Sequence, residues 1–345
     1  MNKLNERQKL ILALIIHDYV ETAQPIGSQY LADRYGLNIS SATIRNAMVD
    51  LTDAGLLRQP HTSAGRVPTE EGYRYFVRQL MGQTELPDNT RRTITHQFYQ
   101  AGQDVNRWMR LAASVLAHQS QAASLVTSPR PEVARFKHLE LISTHGRQVL
   151  MVTVWTEGEV RQQMLSLAEP VAQAQLSTAA AHINDLCLGM NAEGFANMNI
   201  SQLDALEQDV IKLIKDDLVQ MRHTISGEVF RDGLSHVLTE PEFAESETAR
   251  KAFRFLEERA LLEDLLARTV LNSDVQDVQI LIGGEGTWEE LRDCSMVLAR
   301  YGAPGLLTGA LGVLGPTRMA YGKTVSTVRF VSGLLSELVV ELLAE

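Results

Sequence analysis

The chain of 345 residues lacks the features that mark several special classes of protein. Its two cysteines, Cys187 and Cys294, are too few for a disulfide framework or a cysteine-based zinc site, so a reduced, cytoplasmic location is expected. The longest apolar run, Leu10 to Ile16, is shorter than the roughly 18–20 residues that cross a bilayer, and no membrane association is expected. The first seven residues carry charges without a small-residue cleavage site, which does not fit a signal peptide.

Catalytic and cofactor motifs are also missing. The nine histidines contain no pair four residues apart, and no G-x-S-x-G nucleophile elbow occurs. The run Gly283-Gly284-Glu285-Gly286 could be read as a phosphate-binding loop, but it lacks the G-x-G-x-x-G spacing, and Glu285 would repel phosphate. A turn between a strand and a helix is the better interpretation. We therefore expect no enzyme activity, no metal and no cofactor.

The composition is that of a globular protein, with 45% hydrophobic and 21% charged residues, and the length indicates two or three domains. The net charge of −10 is distributed unevenly. Residues 1–81 hold nine Lys/Arg and eight Asp/Glu, a net charge of +1, and the remaining residues hold 23 and 34, a net charge of −11. Because DNA binding needs a local basic face rather than a basic protein, this distribution permits a DNA-binding N-terminal domain.

The first 55 residues have the outline of a helix-turn-helix. Asn5 can cap a first helix, and Pro25 and Gly27 end it. Ser28 is expected to cap a second helix that Gly36 closes. After a tight turn, Ser40 or Ser41 starts a third helix that runs to Ala54 and is closed by Gly55.

The third predicted helix carries side chains suited to reading DNA. Ile44, Ala47, Met48 and Leu51 have helical spacing and are predicted to face the core. The opposite face then presents Arg45 as a fork of donors, Asn46 as an amide that can pair with adenine, small hydroxyls for phosphates, and methyl groups for thymine. An ordinary amphipathic helix with a solvated polar face is the alternative.

A second candidate DNA contact follows this helix. Leu56 to Gln59 is predicted to be a short strand, Pro60 to Gly65 a turn, and Arg66 to Pro68 a returning strand, with a further helix from Thr69 to Met81. Gly65 would allow a tight tip, and Arg66 beside it could enter a minor groove or contact phosphate. A surface hairpin without such a role is the alternative.

The remainder of the chain alternates between helical and strand patterns. Residues 90–123 have helical spacing, 138–167 predict an antiparallel meander, and helices are expected near 172–188, 202–222 and 247–271. Three further strands are expected between 278 and 314, and a last helix near 321–343. This order indicates one α+β domain that contains a helical insertion.

Several runs of residues resemble one family, the HrcA-type heat-inducible transcription repressors, and the resemblance extends over essentially the whole chain. The N-terminal runs are Pro25–Ser28, Ala42–Asn46, Gln59–Thr69 and Gly72–Tyr75, and the C-terminal runs are Glu290–Ser295 and Gly312–Tyr321. The chain departs from the family pattern at Gln29, where a basic residue is common, which puts one phosphate contact in doubt.

The resemblance implies a fold, namely a winged helix-turn-helix and a GAF-like antiparallel α/β domain that contains an inserted helical dimerisation segment. We expect a winged-helix domain at 1–81, a linker and helix at 82–125, the GAF-like domain at 126–189 and 261–345, and the dimerising segment at 190–260. The expected DNA-binding residues are Ser28, Ser41, Ala42, Thr43, Arg45, Asn46, His61, Ser63 and Arg66.

The resemblance also implies a function. Members of this family act as homodimers on an inverted-repeat operator upstream of chaperone operons, and a chaperonin of the GroEL type supports their active form. The expected partners are therefore double-stranded DNA, a second copy of the chain and the chaperonin. The alternative function is a winged-helix regulator that senses a small molecule through its GAF-like domain.

Overall fold

The computed structural model describes residues 4–62, 64–82, 84–131, 133–156, 159–223, 228–243, 246–271 and 277–344. The chain divides into two compact units, each assembled from separate stretches of sequence. The first unit contains Met1–Ser128, Glu228–Tyr301 and Gly309–Glu345, and the second contains Pro129–Gly227 and Gly302–Thr308. The structure mixes helices with antiparallel sheets, in agreement with the predicted α+β class.

The described residues form thirteen α-helices. They are α1 Glu6–Thr22, α2 Ser28–Tyr35, α3 Ser41–Asp53, α4 Glu70–Tyr75, α5 Asp88–Ala101, α6 Val105–Ser120, α7 Gln173–Cys187, α8 Ala192–Asn197, α9 Ala205–His223, α10 Leu234–Leu238, α11 Ser246–Glu257, α12 Arg259–Leu266 and α13 Tyr321–Ala344. Helices α4 and α12 continue as π-helical turns, and short 3₁₀ turns lie at Pro241–Phe243, Gly283–Gly286 and Glu289–Leu291.

The described residues also form eleven strands. They are β1 Leu57–Arg58, β2 Val67–Pro68, β3 Ala123–Thr127, β4 Arg130–Pro131, β5 Phe136–His145, β6 Gln148–Trp155, β7 Val160–Ser166, β8 Val229–Asp232, β9 Gln279–Ile282, β10 Cys294–Gly302 and β11 Leu307–Pro316.

The N-terminal helices begin and end at residues with clear local reasons. Asn5 and Gln8 form a reciprocal capping box at the start of α1, with bonds of 2.9 and 3.0 Å. Helix α2 ends at Gly36, whose φ of 54° is in the left-handed region. Gly27 rather than Ser28 is the N-cap of α2 and makes no side-chain cap bond, so the prediction that Ser28 caps this helix is wrong.

The segment 90–123, predicted as one helical stretch, contains two helices and the start of a strand. Helix α5 ends at Ala101 because Gly102 has a φ of 65°, and Asp104 caps α6 by accepting from the backbone N–H of Arg107 at 3.1 Å. The prediction of a single helix missed this cap pair.

The main sheet of the first unit is built from strands far apart in sequence. The strand order is β8-β3-β11-β10-β9, and the registers of β3 with β8, β3 with β11 and β9 with β10 are antiparallel. All five residues of β3 are buried, as expected for a strand in the middle of a covered sheet. Helices α6 and α13 pack against each other, and α6 also packs on β3.

The second unit contains the antiparallel meander that the sequence predicted. Its strand order is β5-β6-β7, with Leu141 opposite Met151 and Leu150 opposite Met164. One sheet face packs on α7 and α9, and Phe136 and Trp155 belong to the core between them. The side chain of Asn184 on α7 bonds both backbone groups of Leu139, at 2.7 and 3.0 Å, and so attaches the helix to the sheet.

One compact unit covers 129–227, a range that includes the expected boundary at 189/190. The functional division into winged-helix, GAF-like and dimerising segments stays a prediction. Within the part of the chain that the structure describes, no helix is both long and apolar enough to span a membrane.

Both cysteines are buried, and we expect them to be unreactive in the folded protein. Burial raises the pKa of Cys187 to about 11 and that of Cys294 to about 12, so neither thiol forms an appreciable amount of thiolate at neutral pH. Titration with a thiol reagent at pH 7.5 should detect no thiol before denaturant is added and two afterwards. Rapid reaction of either cysteine in the native protein would contradict this burial.

Two buried tyrosines meet in the first unit with unequal hydrogen bonding. The rings of Tyr73 and Tyr321 lie 5.9 Å apart between centroids. The Tyr321 hydroxyl lies 2.7 Å from Ser295 Oγ and donates to the carbonyl of Thr317 at 2.7 Å. The Tyr73 hydroxyl is buried and has no partner among the described residues.

We therefore expect opposite effects from removing the two hydroxyl groups. Tyr73→Phe should raise the free energy of unfolding by about 1 kcal/mol, because it removes an unsatisfied buried group, whereas Tyr321→Phe should lower it by about 1–2 kcal/mol. Chemical denaturation of the two variants measures the difference, and each serves as the control for the other. Equal destabilisation would mean that the Tyr73 hydroxyl has a hydrogen-bond partner.

Candidate nucleic-acid interface

Helix α3 has the two faces that its sequence predicted. Ile44, Ala47, Met48 and Leu51 are buried. Ala42, Arg45, Asn46 and Val49 are exposed, and Val49 retains 41% of its accessible surface. The start of the helix is fixed by Ser40, whose hydroxyl accepts from the backbone N–H of Thr43 at 3.1 Å.

The exposed face of α3 offers unpaired hydrogen-bond donors. Among the described residues, Arg45 makes no ion pair, and neither Arg45 nor Asn46 makes a side-chain hydrogen bond. The hydroxyl of Thr43 lies 2.9 Å from that of Ser40, so Thr43 supports the helix start, and Ser41 is half-buried. The chemistry available for a base edge therefore lies on Arg45 and Asn46, beside two apolar side chains.

The segment after β1 is a compact loop held by one side chain. Gln59 Nε2 donates to the carbonyls of Thr62 and Ala64, at 2.9 and 3.0 Å, while β1 and β2 pair through Leu57↔Pro68 and Arg58↔Val67. In this loop His61 is exposed, and Ser63 lies outside the described residues. Gln59 therefore fixes the described residues on both sides of Ser63, and His61 faces solvent.

Gly65 is required for a reason that the sequence did not indicate. A Cβ atom at this position would lie 2.3 Å from the carbonyl oxygen of Ile26. Arg66 next to it forms a two-way backbone pair with Ile26, with N···O distances of 2.8 and 2.9 Å. Gly65 thus allows the loop to pack against the chain just before α2, rather than forming a tight tip as expected.

Arg66 is attached to α3. Its Nε donates to Thr52 Oγ1 at 3.0 Å, and Thr52 Oγ1 in turn donates to the carbonyl of Met48 at 2.7 Å. The Arg66 side chain is half-buried at this junction. Arg66 thus couples the loop to the last turns of α3, and its suggested role as a DNA contact stays a prediction.

Ser28, by contrast, is buried at the first turn of α2 and offers little surface to a phosphate.

Two side chains that the sequence analysis did not name are more exposed than Ser28. Arg58 on β1 makes no ion pair with any described residue, and Tyr30 on α2 is 39% exposed. The alternation of buried Leu57 with exposed Arg58 was the available signal for Arg58.

Three neighbouring side chains at the end of α1 could in principle hold a cation. Ligand atoms of His17, Asp18 and Glu21 lie within 4.8 Å of one another. Arg34 already supplies positive charge there, with nitrogens 3.4 Å from Asp18 and 2.9 Å from Glu21, and the Tyr35 hydroxyl donates to Asp18 at 2.7 Å. An internal ion pair between α1 and α2 explains this group without a metal.

Comparison with known proteins supplies the family. The family described as "HrcA protein C terminal domain" matches residues 106–325. The heat-inducible transcription repressor HrcA of Roseiflexus castenholzii is 42% identical over 98% of this chain and 95% of its own. The protein of that name from Herpetosiphon aurantiacus is 42% identical over 99% of this chain and 97% of its own.

A solved structure shows the same fold. A crystal structure described as that of a hypothetical protein aligns over 98% of this chain and 99% of its own, with a TM-score of 0.59 and 21% identity. The relatives and the matched family confirm the resemblance found in the sequence and the expectation that the protein is not an enzyme. The chain therefore belongs to the HrcA family, whose members are transcription repressors.

Proposed function

We propose that this chain is a cytoplasmic, homodimeric repressor of heat-shock chaperone operons that binds an inverted-repeat operator. The observation that carries the proposal is the outward face of α3, where Arg45 and Asn46 stand free of side-chain partners among the described residues, beside the exposed Ala42 and Val49. Donors next to methyl groups on one helix suit the major groove, where each base pair has its own pattern of acceptors, donors and methyl groups. The names of the relatives, heat-inducible transcription repressors, agree with this function.

We interpret residues 4–81 as the winged helix-turn-helix. In this interpretation α2 and α3 form the helix-turn-helix, α3 enters the major groove, and the β1–β2 hairpin with its loop is the wing. Ser41, Ala42, Thr43 and the loop residues His61, Ser63 and Arg66 are proposed contacts to phosphate or to base edges, with Ser28 a weaker candidate because it is buried.

We interpret the antiparallel sheet of the first unit, flanked by α6 and α13, as the GAF-like domain. The second unit would then be its insertion, since its chain leaves the first unit after Ser128 and returns at Glu228. This places the insertion earlier in the sequence than the expected segment 190–260.

Binding to an inverted repeat requires two copies of α3 related by a two-fold axis. Support for a dimer surface comes from the second unit, where one face of the β5-β6-β7 sheet is exposed or half-buried along the strand residues that the structure describes. On that face, Ile142, Val160 and Met164 are exposed by 43–51%, and Leu150, Val152 and Val154 are half-buried. An apolar stripe that runs across all three strands suits a self-complementary contact with a second copy.

Dependence on a GroEL-type chaperonin would follow if the repressor unfolds readily enough to need refolding. Helix α13 combines buried Leu335 and Val339 with Val340 and Leu343, which are 52% and 42% exposed. Partial opening of such a helix would expose a continuous apolar surface of the kind a chaperonin binds. Heat would then divert the chaperonin to other unfolded proteins, and repression would fall.

A gel-shift titration tests the proposed function directly. The purified chain is added to duplexes from upstream of chaperone operons that contain an inverted repeat, to the same duplexes with one half-site scrambled, and to unrelated DNA. Preference for the intact repeat, lost after heating and recovered with chaperonin and ATP, is expected. Equal binding to all three duplexes would contradict the repressor function, and a thermal-shift screen with metabolites would then test the ligand-responsive alternative.

A further inference from the structure

The N-terminal segment 4–81 packs against the C-terminal part of the same compact unit, and two arginines carry most of its polar contacts there. One arginine, Arg318, comes from the C-terminal side, just before α13. The other, Arg74, comes from α4 on the N-terminal side. Each arginine reaches a backbone carbonyl of the opposite side, so the two contacts are reciprocal.

Arg318 joins three separate stretches of chain. Its Nη1 donates to the carbonyl of Val20 at 2.9 Å, its Nε donates to Glu242 Oε1 at 2.5 Å, and its Nη2 pairs with Glu240. Only 9% of the residue is exposed. Val20 lies in the last turn of α1, where carbonyls lack helical partners and carry partial negative charge, so a guanidinium is well suited to hold this helix end.

Arg74 makes the complementary contact from α4. Its Nη2 donates to the carbonyl of Ile282 at 2.6 Å, and its Nε lies 3.4 Å from a carboxylate oxygen of Glu285. Arg74 also pairs with Glu70 and Glu71 of its own helix, at 3.2 and 2.8 Å. The α4 helix is therefore attached to the end of β9 and the turn that follows.

The Gly-Gly-Glu-Gly run is shaped for this contact. Gly283 and Gly284 have φ of 67° and Glu285 has φ of 48°, so three successive residues are in the left-handed region. A Cβ atom at Gly283 would lie 2.5 Å from the Glu70 carboxylate. Gly283 therefore lies beside the Glu70 side chain of α4 in a backbone conformation that favours glycine, which gives this run a role besides that of a turn between elements.

The contact is nevertheless incompletely satisfied. The ring of Tyr73, the residue before Arg74, packs on Tyr321, and among the described residues neither the Tyr73 hydroxyl nor the buried Oε2 of Glu242 has a hydrogen-bond partner. Burial of polar atoms without hydrogen-bond partners costs free energy, which opposes the packing of the N-terminal segment on the C-terminal part. Among the described residues, the two arginines therefore supply hydrogen bonds across this contact that these buried groups do not.

We propose that Arg318 and Arg74 are positioning residues for operator binding, which set the direction in which α3 is presented from each subunit. This inference rests on the proposed binding of a dimer to an inverted repeat. Two half-sites are read together only if both α3 helices arrive at the half-site separation, a multiple of about 34–36 Å. Loss of either arginine widens the range of orientations, which lowers the effective concentration of the second α3 helix at its half-site.

We expect the variants to lose avidity for two linked half-sites, while each α3 helix keeps its affinity for a single half-site. Arg318→Ala and Arg74→Ala should reduce affinity for the intact repeat by about 10- to 100-fold, because avidity rather than contact is lost. Affinity for a single half-site should stay unchanged. The variants should also bind repeats whose spacer is lengthened or shortened by two or three base pairs nearly as well as the natural spacing, whereas the parent chain should discriminate against them.

The experiment compares full-length variants on these duplexes by fluorescence anisotropy. Arg329→Ala is the matched control, because Arg329 on α13 forms an exposed bidentate pair with Asp277, and none of its contacts among the described residues is with the N-terminal segment. Should Arg318→Ala fail to fold after leaving Glu240 and Glu242 unpaired, Arg74→Ala remains usable, since the partner carboxylates of Arg74 are 34–60% exposed.

A second measurement does not involve DNA. Spin labels are placed on exposed sites by Arg7→Cys on α1 and Gly333→Cys on α13, where a Cβ meets no atom within 4 Å. The native cysteines are buried, and dilution with unlabelled chain isolates distances within one chain. The distance distribution should be narrow in the parent and the Arg329→Ala chain, and broad in the Arg318→Ala and Arg74→Ala chains.

The two measurements distinguish the positioning role of the arginines from the proposed repressor function. Broadened distances together with lost spacer preference support the positioning role. An unbroadened distribution, an unchanged spacer preference, or equal losses on the half-site and the full repeat would each overturn it. If the parent chain shows no preference for inverted repeats, the proposed function is wrong, and so is the positioning role in operator binding. The spin-label distances would then report only whether the two arginines fix the orientation of the N-terminal segment.

Discussion

Arg45→Ala is expected to reduce affinity for the operator by about 10- to 100-fold, equivalent to about 1–3 kcal/mol, and to leave affinity for unrelated duplex DNA nearly unchanged. The reason is the exposed position of Arg45 on α3 and its lack of an ion-pair partner among the described residues. A free guanidinium can make two hydrogen bonds to O6 and N7 of guanine, a pattern that no other base presents in the major groove. Removing the guanidinium should therefore reduce discrimination between DNA sequences more than the general attraction to DNA.

The measurement is an anisotropy titration against operator and scrambled duplex at three salt concentrations. Arg92→Ala is the matched control, because it removes one exposed positive charge from α5, outside the proposed interface. It should leave both affinities unchanged. If Arg45→Ala weakens binding to both duplexes equally and flattens the salt dependence, Arg45 contacts phosphate and another residue reads the base.

The two faces of α3 could be predicted because they depend only on local spacing. Ile44, Ala47, Met48 and Leu51 recur with the helical period, and the structure buries them. The meander of the second unit was predictable for the same reason, since β6 alternates buried and less buried residues along its length. Patterns confined to one element are preserved when the chain folds.

Two strands of the main sheet, β3 and β8, were not predicted. Strand β3 is buried at all five positions, and such a short apolar run cannot be distinguished from a helix segment by its period. Strand β8, its neighbour in the sheet, buries only Phe230 and lies in a polar region. Neither strand has a recognisable pattern without the other.

In the candidate interface, too, features that depend on residues distant in sequence were not predicted. Exposure of Arg45 and Asn46 followed from the helix, but the burial of Ser28 and the pairing of Arg66 with Thr52 depend on how the loop packs. Gly65 was correctly singled out and assigned the wrong reason, because its contact, the carbonyl of Ile26, lies in a different part of the sequence. Long-range backbone approach leaves no periodic signal in a single sequence.

If the chain forms the proposed dimer through the exposed face of the β5-β6-β7 sheet, charges placed on that face should separate it into monomers. In the double variant Val160→Glu and Met164→Glu, both substituted side chains are about half exposed, at 51% each, so the fold of the subunit should tolerate the change. A two-fold contact repeats every substitution, which brings four added carboxylates into one contact. Because linked half-sites gain about 10²–10⁴ in avidity, operator affinity should fall by at least about 100-fold.

Sedimentation velocity and operator titration measure the two consequences in the same samples. Leu186→Glu with Leu188→Glu is the matched control, since it adds the same charge at exposed leucines of the second unit, 39% and 69% exposed, that belong to α7 and its C-cap rather than to the sheet. The control should remain dimeric and bind the operator. Half-site affinity should be equal in the parent and both double variants, because α3 is untouched. If the Val160→Glu, Met164→Glu variant stays dimeric at micromolar concentration, the dimer contact lies elsewhere in the chain. If the variant is monomeric and still binds the full repeat as tightly as the parent, operator binding does not require two copies of α3.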